Sequence, residues 1–266
     1  MAPEPLTQLA DDPGGRSLGL VLPPGRLIDE TDQGTWPYPL LWQADAPATR
    51  GQWSALEAGC RAVGLLPVLV DVGGHRGGPE GWDLMCGNLS YPEDFEAEDI
   101  LADYWNALPQ GGPTAPSGRA WPGLAPARRP DADPDALAAE TADTLLDGDT
   151  LLREPHLALV PAERNADVLA AIGWTGSLNH EDDPGVLSAV LRSWETRFGT
   201  RVVALTADQL TLSVAAPPTT PAEAEAVAAE HLAFCPDGVT RHHRTNLHTY
   251  AAEAVRTRRT WAFRWD

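Results

Sequence analysis

The chain contains no lysine, so its 19 Lys+Arg positions are all arginine. Against 38 acidic residues they leave a formal net charge of -19 and a pI near 4.6. Binding to nucleic acid or to an anionic membrane draws on an excess of basic groups, so the composition argues against both partners. With heavy use of alanine, proline and glycine, the missing lysine is typical of a GC-rich bacterial genome. Arginine abundance by itself therefore indicates no function.

Cysteine and long apolar runs are also scarce. Cys60, Cys86 and Cys235 are odd in number and far apart, which makes a poor disulfide framework and gives no C-x-x-C metal motif. No apolar stretch approaches the length of a membrane span, and the first residues lack the pattern of a signal peptide. We therefore expect reduced thiols, a cytoplasmic location, no membrane contact and no cofactor.

Motifs of several enzyme classes are missing too. The chain has no H-E-x-x-H helix and no G-x-S-x-G turn. The glycine-rich stretch at residues 72–81 lacks the lysine and the Ser/Thr of a phosphate-binding loop, and it predicts a flexible loop.

The chain does contain enough apolar residues for a core. Its hydrophobic content is 43%, and its ten tryptophans, against four phenylalanines and four tyrosines, should mostly be buried or line a groove. Apolar periodicity predicts helices interleaved with strands, including a helix and a buried strand over residues 51–72 and a helix over 92–108 with an acidic outer face. Prolines in residues 36–44 indicate an edge strand there.

These patterns predict an α/β or α+β fold. It consists of a mixed sheet flanked by helices, with a smaller N-terminal α/β portion packed on it or linked to it. We divide the chain into an N-terminal portion (1–108), a Pro/Gly-rich linker or long loop (109–136) and a C-terminal domain (137–266).

The C-terminal part carries helix start and stop signals. Asp183 and Pro184 begin one helix that Gly199 ends, and Thr220, Pro221 and Glu223 form a capping box at the start of another. Two strands lie between these helices, and alternating aromatic residues close the chain as a further strand.

Several ordered blocks of this part resemble the bacterial domain-of-unknown-function 4253 family. The similarity covers about the last 110 residues, and the strand near residue 66 looks similar to the leading part of longer members. Because that family has no established activity, the resemblance implies a fold unit and no chemistry. The matching residues are Gly173, Trp174, Gly176, Asn179, Leu191, Arg192, Ser193, Trp194, Glu195, Arg197, Phe198, Gly199, Pro217, Pro218, Glu230, His231, Phe234, Cys235, Pro236, Asp237, Trp261, Trp265 and Asp266.

His231 and Cys235 are one helical turn apart, so their side chains can touch. Cys235 could act as a nucleophile with His231 as its base and Asp237 or Glu230 as the group that orients the base. However, Pro236 should end the helix near Cys235, which places the thiol at the negative end of the helix dipole and opposes thiolate formation. A packed structural cysteine is the favoured interpretation.

Three other groups are candidates for chemistry or binding. His231, Cys235, His242 and His243 have the right ligand types for zinc, but their spacing fits no familiar pattern, and we predict no metal site. The polar loop from Asn179 to Asp183 could perform acid/base work through His180 and Asp182, although Asp183 is already explained as a helix cap. Arg192 and Glu195 are i, i+3 neighbours that can simply pair on the helix surface.

From these patterns we expect a protein-binding or regulatory module, such as an inhibitor or immunity-type partner of a basic protein. The alternative is a small-molecule-binding protein or an enzyme, hydrolase-like or metal-assisted, and a purely structural role is the third possibility. No catalytic set is predicted outright; for an enzyme the candidates are His231, Cys235, Asp237, His180 and Asp182. The binding candidates are Trp174, Asn179, Arg192, Trp194, Glu195, Arg197, Glu230, His231 and Asp237.

Overall fold

The structure, a computed structural model, describes residues 4–85, 87, 90–109, 120–147, 152–242 and 246–265, without the side chains of residues 241 and 242. It contains a seven-stranded mixed sheet with helices on both faces, which confirms the predicted fold class. The strands are β1 (Gly25–Ile28), β2 (Glu30–Thr31), β3 (Gly34–Thr35), β4 (Leu41–Pro47), β5 (Leu65–Asp71), β6 (Pro155–Pro161), β7 (Thr200–Leu205), β8 (Gln209–Val214) and β9 (Thr260–Arg264). The helices are α1 (Glu4–Asp11), α2 (Gln52–Ala62), α3 (Ala97–Ala107), α4 (Pro134–Leu146), α5 (Val168–Ile172), α6 (Pro184–Phe198), α7 (Pro221–Phe234), α8 (Pro236–His242) and α9 (Leu247–Tyr250).

The order of strands in the main sheet is β1-β4-β6-β5-β7-β8-β9, and β2 and β3 form a separate hairpin. Neighbouring strands run antiparallel except β5 and β7, which are parallel. Strands from both sides of the Pro/Gly-rich segment therefore share one sheet. The division into domains stays a prediction.

The central strand β5 follows α2 as the sequence predicts. Gly64 ends the helix–strand connection with a φ of 77°, a conformation that glycine adopts without a steric penalty. All seven residues of β5 are buried, which explains why its sequence is continuously apolar rather than alternating.

One strand prediction was wrong. Strand β4 lies between β1 and β6 in the interior of the sheet, not at its edge. The prolines that suggested an edge, Pro37 and Pro39, precede the strand, so they remove no hydrogen bond from its ladders.

Helix caps position α6 and α7 against the sheet. The Asp183 side chain accepts the N–H of Gly185, and Gly199 ends α6 with a φ of 61°. Thr220 and Glu223 form the predicted capping box of α7, which ends at Phe234 just before Cys235 and Pro236. These contacts confirm the start and stop signals.

Two hydrophobic cores cover the two faces of the sheet. The larger lies against α3, α5, α6 and α7, and its buried side chains from α6, α7 and β9 include Leu191, Trp194, Phe234, Trp261 and Phe263. The smaller lies against α1, α2 and α4. No helix in the described parts of the chain is long and apolar enough to cross a bilayer.

Candidate functional site

A cleft lies at the carboxyl ends of the parallel strands β5 and β7. It consists of two adjoining cavities of about 410 and 220 Å³ that share the side chains of His75, Arg76, Asp208 and Arg264. The loop after β5 forms one wall, and the loops after β7 and α5 form the other. Side chains from distant parts of the chain therefore converge where the sheet changes from antiparallel to parallel pairing.

Asp71, the last residue of β5, is the buried acid of this cleft, with only 3% of its surface exposed. Its Oδ1 accepts hydrogen bonds from the backbone N–H groups of Glu154 at 2.7 Å, Arg153 at 2.9 Å and Gly73 at 3.4 Å. Its Oδ2 has no hydrogen-bond or ion-pair partner among the described residues. A Cβ added at Gly74 would come within 3.4 Å of that oxygen, so the glycine keeps the approach to it open.

The glycine-rich loop after Asp71 has a defined conformation. The indole N–H of the buried Trp82 donates to the Gly77 carbonyl at 3.0 Å. A side chain at Gly81 would bring a Cβ within 2.0 Å of the Arg76 carbonyl, so only glycine allows this close approach of the backbone. Arg76 in turn pairs with Asp83 at 2.6 Å. These contacts hold His75 and Arg76 at the cleft.

The opposite wall is built on the tryptophan of the Gly-Trp-x-Gly motif. Trp174 donates from Nε1 to the Thr206 carbonyl at 2.8 Å, and its ring packs edge-on against Trp265 with centroids 5.6 Å apart. A Cβ at Gly176 would lie 2.0 Å from the Trp174 ring, so this position also requires glycine. Trp265 is 2% exposed, and its Nε1 has no hydrogen-bond partner among the described residues.

The cleft gathers basic side chains in an otherwise acidic protein. His75 and Arg153 are exposed and form no ion pair or hydrogen bond through their side chains in the described parts of the chain. Arg264 is about half exposed, and its Nη2 lies 3.6 Å from Asp208. Asp208 also accepts a hydrogen bond from the Thr206 hydroxyl at 2.8 Å. The cleft thus contains both positively and negatively charged side chains.

The corner formed by His231 and Cys235 is closed instead. Both residues are fully buried. The Nδ1 of His231 lies 3.0 Å from the Tyr250 hydroxyl, and the Cys235 thiol donates to the Arg264 carbonyl at 3.2 Å. Burial lowers the pKa of His231 to about 3 and raises the pKa of Cys235 to about 12. A neutral imidazole and a protonated thiol that are both fully buried lack the features of a nucleophile and its base.

Glu230, Arg197 and Trp194 form a buried network. The Arg197 guanidinium binds both carboxylate oxygens of Glu230, with Nη2–Oε2 at 2.6 Å and Nη1–Oε1 at 2.8 Å. The Trp194 Nε1 donates to Oε2 at 2.7 Å, and the backbone N–H of Ala125 donates to Oε1 at 2.6 Å. Because these groups satisfy one another, the network connects α6, α7 and the segment around Ala125.

Arg192 and Glu195 do not pair with each other as the i, i+3 spacing suggested. Arg192 binds Asp167 at 2.6 Å and Glu93 at 3.1 Å. Glu195 binds Arg164 at 2.7 Å and also contacts Arg201. Arg192 and Glu195 therefore form ion pairs with residues that are distant in the sequence and not with each other.

The loop from Asn179 to Asp183 is divided between two environments. Tyr104 donates to Glu181 at 2.5 Å and its ring packs against His180, whose pKa is lowered by burial. Asp182 is exposed, whereas Asn179 lines the larger cavity of the cleft. Of the predicted binding residues, the structure thus brings Trp174 and Asn179 to the cleft.

The remaining candidates lie elsewhere. Asp237 is the second residue of α8, next to the closed corner, and is partly buried. The described residues contain no cluster of three or more His, Cys, Asp or Glu side chains that could hold a metal ion. The side chain of His242 and the whole of His243 lie outside the described residues.

Residues 156–266 match the model of the family described as Domain of unknown function (DUF4253). The match confirms the resemblance found in the sequence. No curated protein and no solved structure matches the chain significantly. The cleft combines residues of this domain, such as Trp174 and Arg264, with residues that precede it, such as Asp71 and His75.

The sequence did not single out the polar residues of the cleft: Asp71, His75, Arg76, Arg153, Asp208 and Arg264. A usable signal was present, because Asp71 is an acid that ends an entirely apolar strand directly before the glycine-rich stretch. Strands β5 and β7 are far apart in the sequence, so no local pattern predicted their parallel pairing.

Proposed function

We propose that the protein binds a small polar molecule in the cleft at the carboxyl ends of β5 and β7. The observation that carries this proposal is the Asp71 carboxylate, which is buried, fixed at Oδ1 by three N–H groups and without a partner at Oδ2 among the described residues. Asp71 lines the smaller cavity, so a molecule in that cavity can reach its Oδ2. A hydroxyl or amino group of a ligand would satisfy Oδ2.

The position of the cleft supports the same function. In open sheets that contain parallel strands, ligands bind outside the carboxyl ends of the strands where the strand order changes direction. Strands β5 and β7 are parallel neighbours, and the cleft lies outside their carboxyl ends. The cleft therefore has the position that ligands occupy beside parallel strands.

The charges support a polar rather than an apolar ligand. Arg76, Arg153 and Arg264 face this space together with Asp71, Asp83 and Asp208, although the whole chain carries a charge of -19. The three tryptophans of the larger cavity add apolar surface beside these charges. A cavity with a few convergent polar groups and aromatic walls is typical of small-molecule sites.

Thermal unfolding of the full chain in the presence of a panel of nucleotides, sugars, sugar phosphates, amino acids and organic acids tests this function. At least one compound should raise the melting temperature, and the increase should disappear in Asp71→Asn and in His75→Ala. Arg129→Ala is the matched control, because it removes an exposed guanidinium that does not line the cleft. A panel without any stabilising compound, or stabilisation that survives both cleft variants, would contradict the proposal.

A second proposal is that the protein binds a basic protein partner through the acidic face of α3 and the turn before it. Six acidic side chains are exposed there, as the sequence predicted: Glu93, Asp94, Glu96, Glu98, Asp99 and Asp103. The apolar residues of the same segment, such as Ile100 and Leu101, are buried against the core. Glu93 pairs with Arg192, and the other five acids present one sign of charge, which attracts a basic surface and speeds association.

This second proposal requires a partner whose binding depends on that face. Neutralisation by Glu93→Gln, Asp94→Asn, Glu98→Gln and Asp99→Asn should abolish the binding of any basic protein that the wild type retains, and added salt should weaken that binding. The control neutralises four exposed acids outside the face: Asp29, Glu30, Asp32 and Glu140. Equal losses in both variants would show only a nonspecific charge effect and would reject the face as the site.

We also infer a cytoplasmic location in a bacterium. Cys60 and Cys235 are buried as free thiols. Proteins of oxidising compartments usually pair their cysteines, so unpaired thiols support a reducing compartment.

A further inference from the structure

We infer that the ligand of the cleft is a phosphate ester of a small hydroxylated compound, such as a sugar or polyol phosphate. This inference rests on the proposed binding function and specifies its ligand class. It follows from the number and the placement of the donors and acceptors around the smaller cavity and its junction with the larger one.

Several donors line the smaller cavity. Arg153 and Arg264 line it, and each guanidinium carries five N–H donors. His75 adds an imidazole at the junction of the two cavities. The backbone N–H groups of Gly74, His75 and Arg76 have no acceptor within the described ranges. Successive N–H groups of this kind in a glycine-rich loop form anion-binding concavities.

This set of donors fits a phosphate better than a carboxylate. A carboxylate has two oxygens with about four acceptor sites, whereas a phosphate monoester has three strongly accepting oxygens and a charge of about -1.5 to -2. A phosphate can accept hydrogen bonds from Arg153, His75 and the N–H groups of the loop at the same time, and Arg264, which lies 3.6 Å from Asp208, adds positive charge. In a chain that has no lysine, arginine side chains and a glycine-rich loop supply the donors for the phosphate.

Asp71 determines what the phosphate is attached to. Its Oδ2 is an acceptor and repels an anion, so the group that it receives must be a donor. A hydroxyl on the carbon chain of the ester meets this requirement. An inorganic phosphate has no carbon chain that could carry such a hydroxyl to Asp71 while its own oxygens bind the donors.

Calorimetric titration of the full chain tests the ligand class. The probes are glycerol phosphate, ribose phosphate and glucose phosphate, the three parent compounds, sugar acids of the same lengths, and inorganic phosphate. At least one ester should bind at least about tenfold more tightly than its parent and its acid. Arg153→Gln should weaken both the ester and inorganic phosphate about tenfold, whereas Asp71→Asn should weaken the ester alone. Arg129→Ala should change neither.

The outcomes separate the ligand class from the binding function. A parent sugar or a sugar acid that binds as tightly as the ester, with an affinity that depends on Asp71, would overturn the phosphate-ester class and leave the binding function standing. An ester whose affinity is unchanged in Arg153→Gln would overturn the placement of its phosphate. If neither these probes nor any compound of the broader panel binds, the ligand class and the binding function both fail.

Discussion

Arg197 and Glu230 form a bidentate ion pair inside the core, between helices α6 and α7. The Glu230 side chain is fully buried, and the Arg197 side chain is 11% exposed. Each carboxylate oxygen of Glu230 accepts two hydrogen bonds. Oε1 accepts one from Arg197 and one from the backbone N–H of Ala125, and Oε2 accepts one from Arg197 and one from Trp194. The pair therefore fixes the segment around Ala125 to the helices that carry the family motifs.

Glu230→Gln should destabilise the protein by about 3 kcal/mol, because it leaves the Arg197 charge buried without its counterion. Guanidinium chloride unfolding at neutral pH measures the loss. Asp45→Asn, which removes one side of an exposed pair with Arg26, should cost less than about 1 kcal/mol. Equal effects of the two substitutions would show that the buried pair contributes no more than a surface pair.

Replacing both partners should be less harmful than replacing one. In the double variant Arg197→Met, Glu230→Met no charge remains buried, and apolar side chains of similar length occupy the space. We expect its stability to lie above that of Glu230→Gln in the same unfolding experiment. A double variant that is less stable than the single one would mean that hydrogen bonds to Trp194 and Ala125 dominate the network.

His231 should make the protein less stable in mild acid. Burial lowers its pKa from 6.5 to about 3, so between these values the unfolded chain binds a proton that the folded protein does not. The stability that this residue contributes is therefore present above about pH 6.5 and is lost as the pH falls toward 3. From about pH 6.5 to about pH 5 the loss is about 2 kcal/mol.

The comparison of wild type with His231→Gln isolates this contribution. Glutamine does not titrate and keeps a hydrogen-bonding group next to Tyr250. The free energy of unfolding of the variant should fall less steeply over the same pH range. Parallel pH profiles of the two proteins would contradict the neutral, buried state of His231.

Native thiols should be almost inert. Burial raises the pKa of Cys60 to about 11 and that of Cys235 to about 12, so neither forms an appreciable thiolate near neutral pH. In a Cys86→Ala background, which removes the cysteine outside the described residues, a thiol reagent should label the protein only as fast as it unfolds. Rapid labelling of Cys235 in the folded protein would revive the nucleophile interpretation.

Local signals in the sequence predicted much of the fold. The caps at Asp183 and Thr220, the glycine after α6 and the apolar run of β5 all lie where the structure has them. Each of these signals depends on residues a few positions apart, so it can be recognised in a single sequence. Helix α4 was missed although Asp133 and Pro134 supply its cap and first residue, because the surrounding prolines indicated a linker.

The site was less accessible from the sequence because its parts are distant. Asp71 and Asp208 meet only through the parallel pairing of β5 with β7, which no local pattern encodes. The sequence suggested Glu230 as a group that could orient His231, and no local pattern indicated its true partner. The tertiary partner Arg197 allows that carboxylate to be buried completely.

Gly176→Ala should disrupt the tryptophan wall of the cleft. An added Cβ would lie 2.0 Å from Cζ2 of Trp174, so the ring must move and lose its hydrogen bond to the Thr206 carbonyl. We expect a destabilisation of about 1–3 kcal/mol, as for other overpacking substitutions, and a changed near-ultraviolet circular dichroism spectrum. Gly14→Ala is the matched control, because the nearest atom to its Cβ is 3.6 Å away. If both substitutions leave stability and spectrum unchanged, Trp174 is not held by the close approach of Gly176, and the glycine of this family motif has another role.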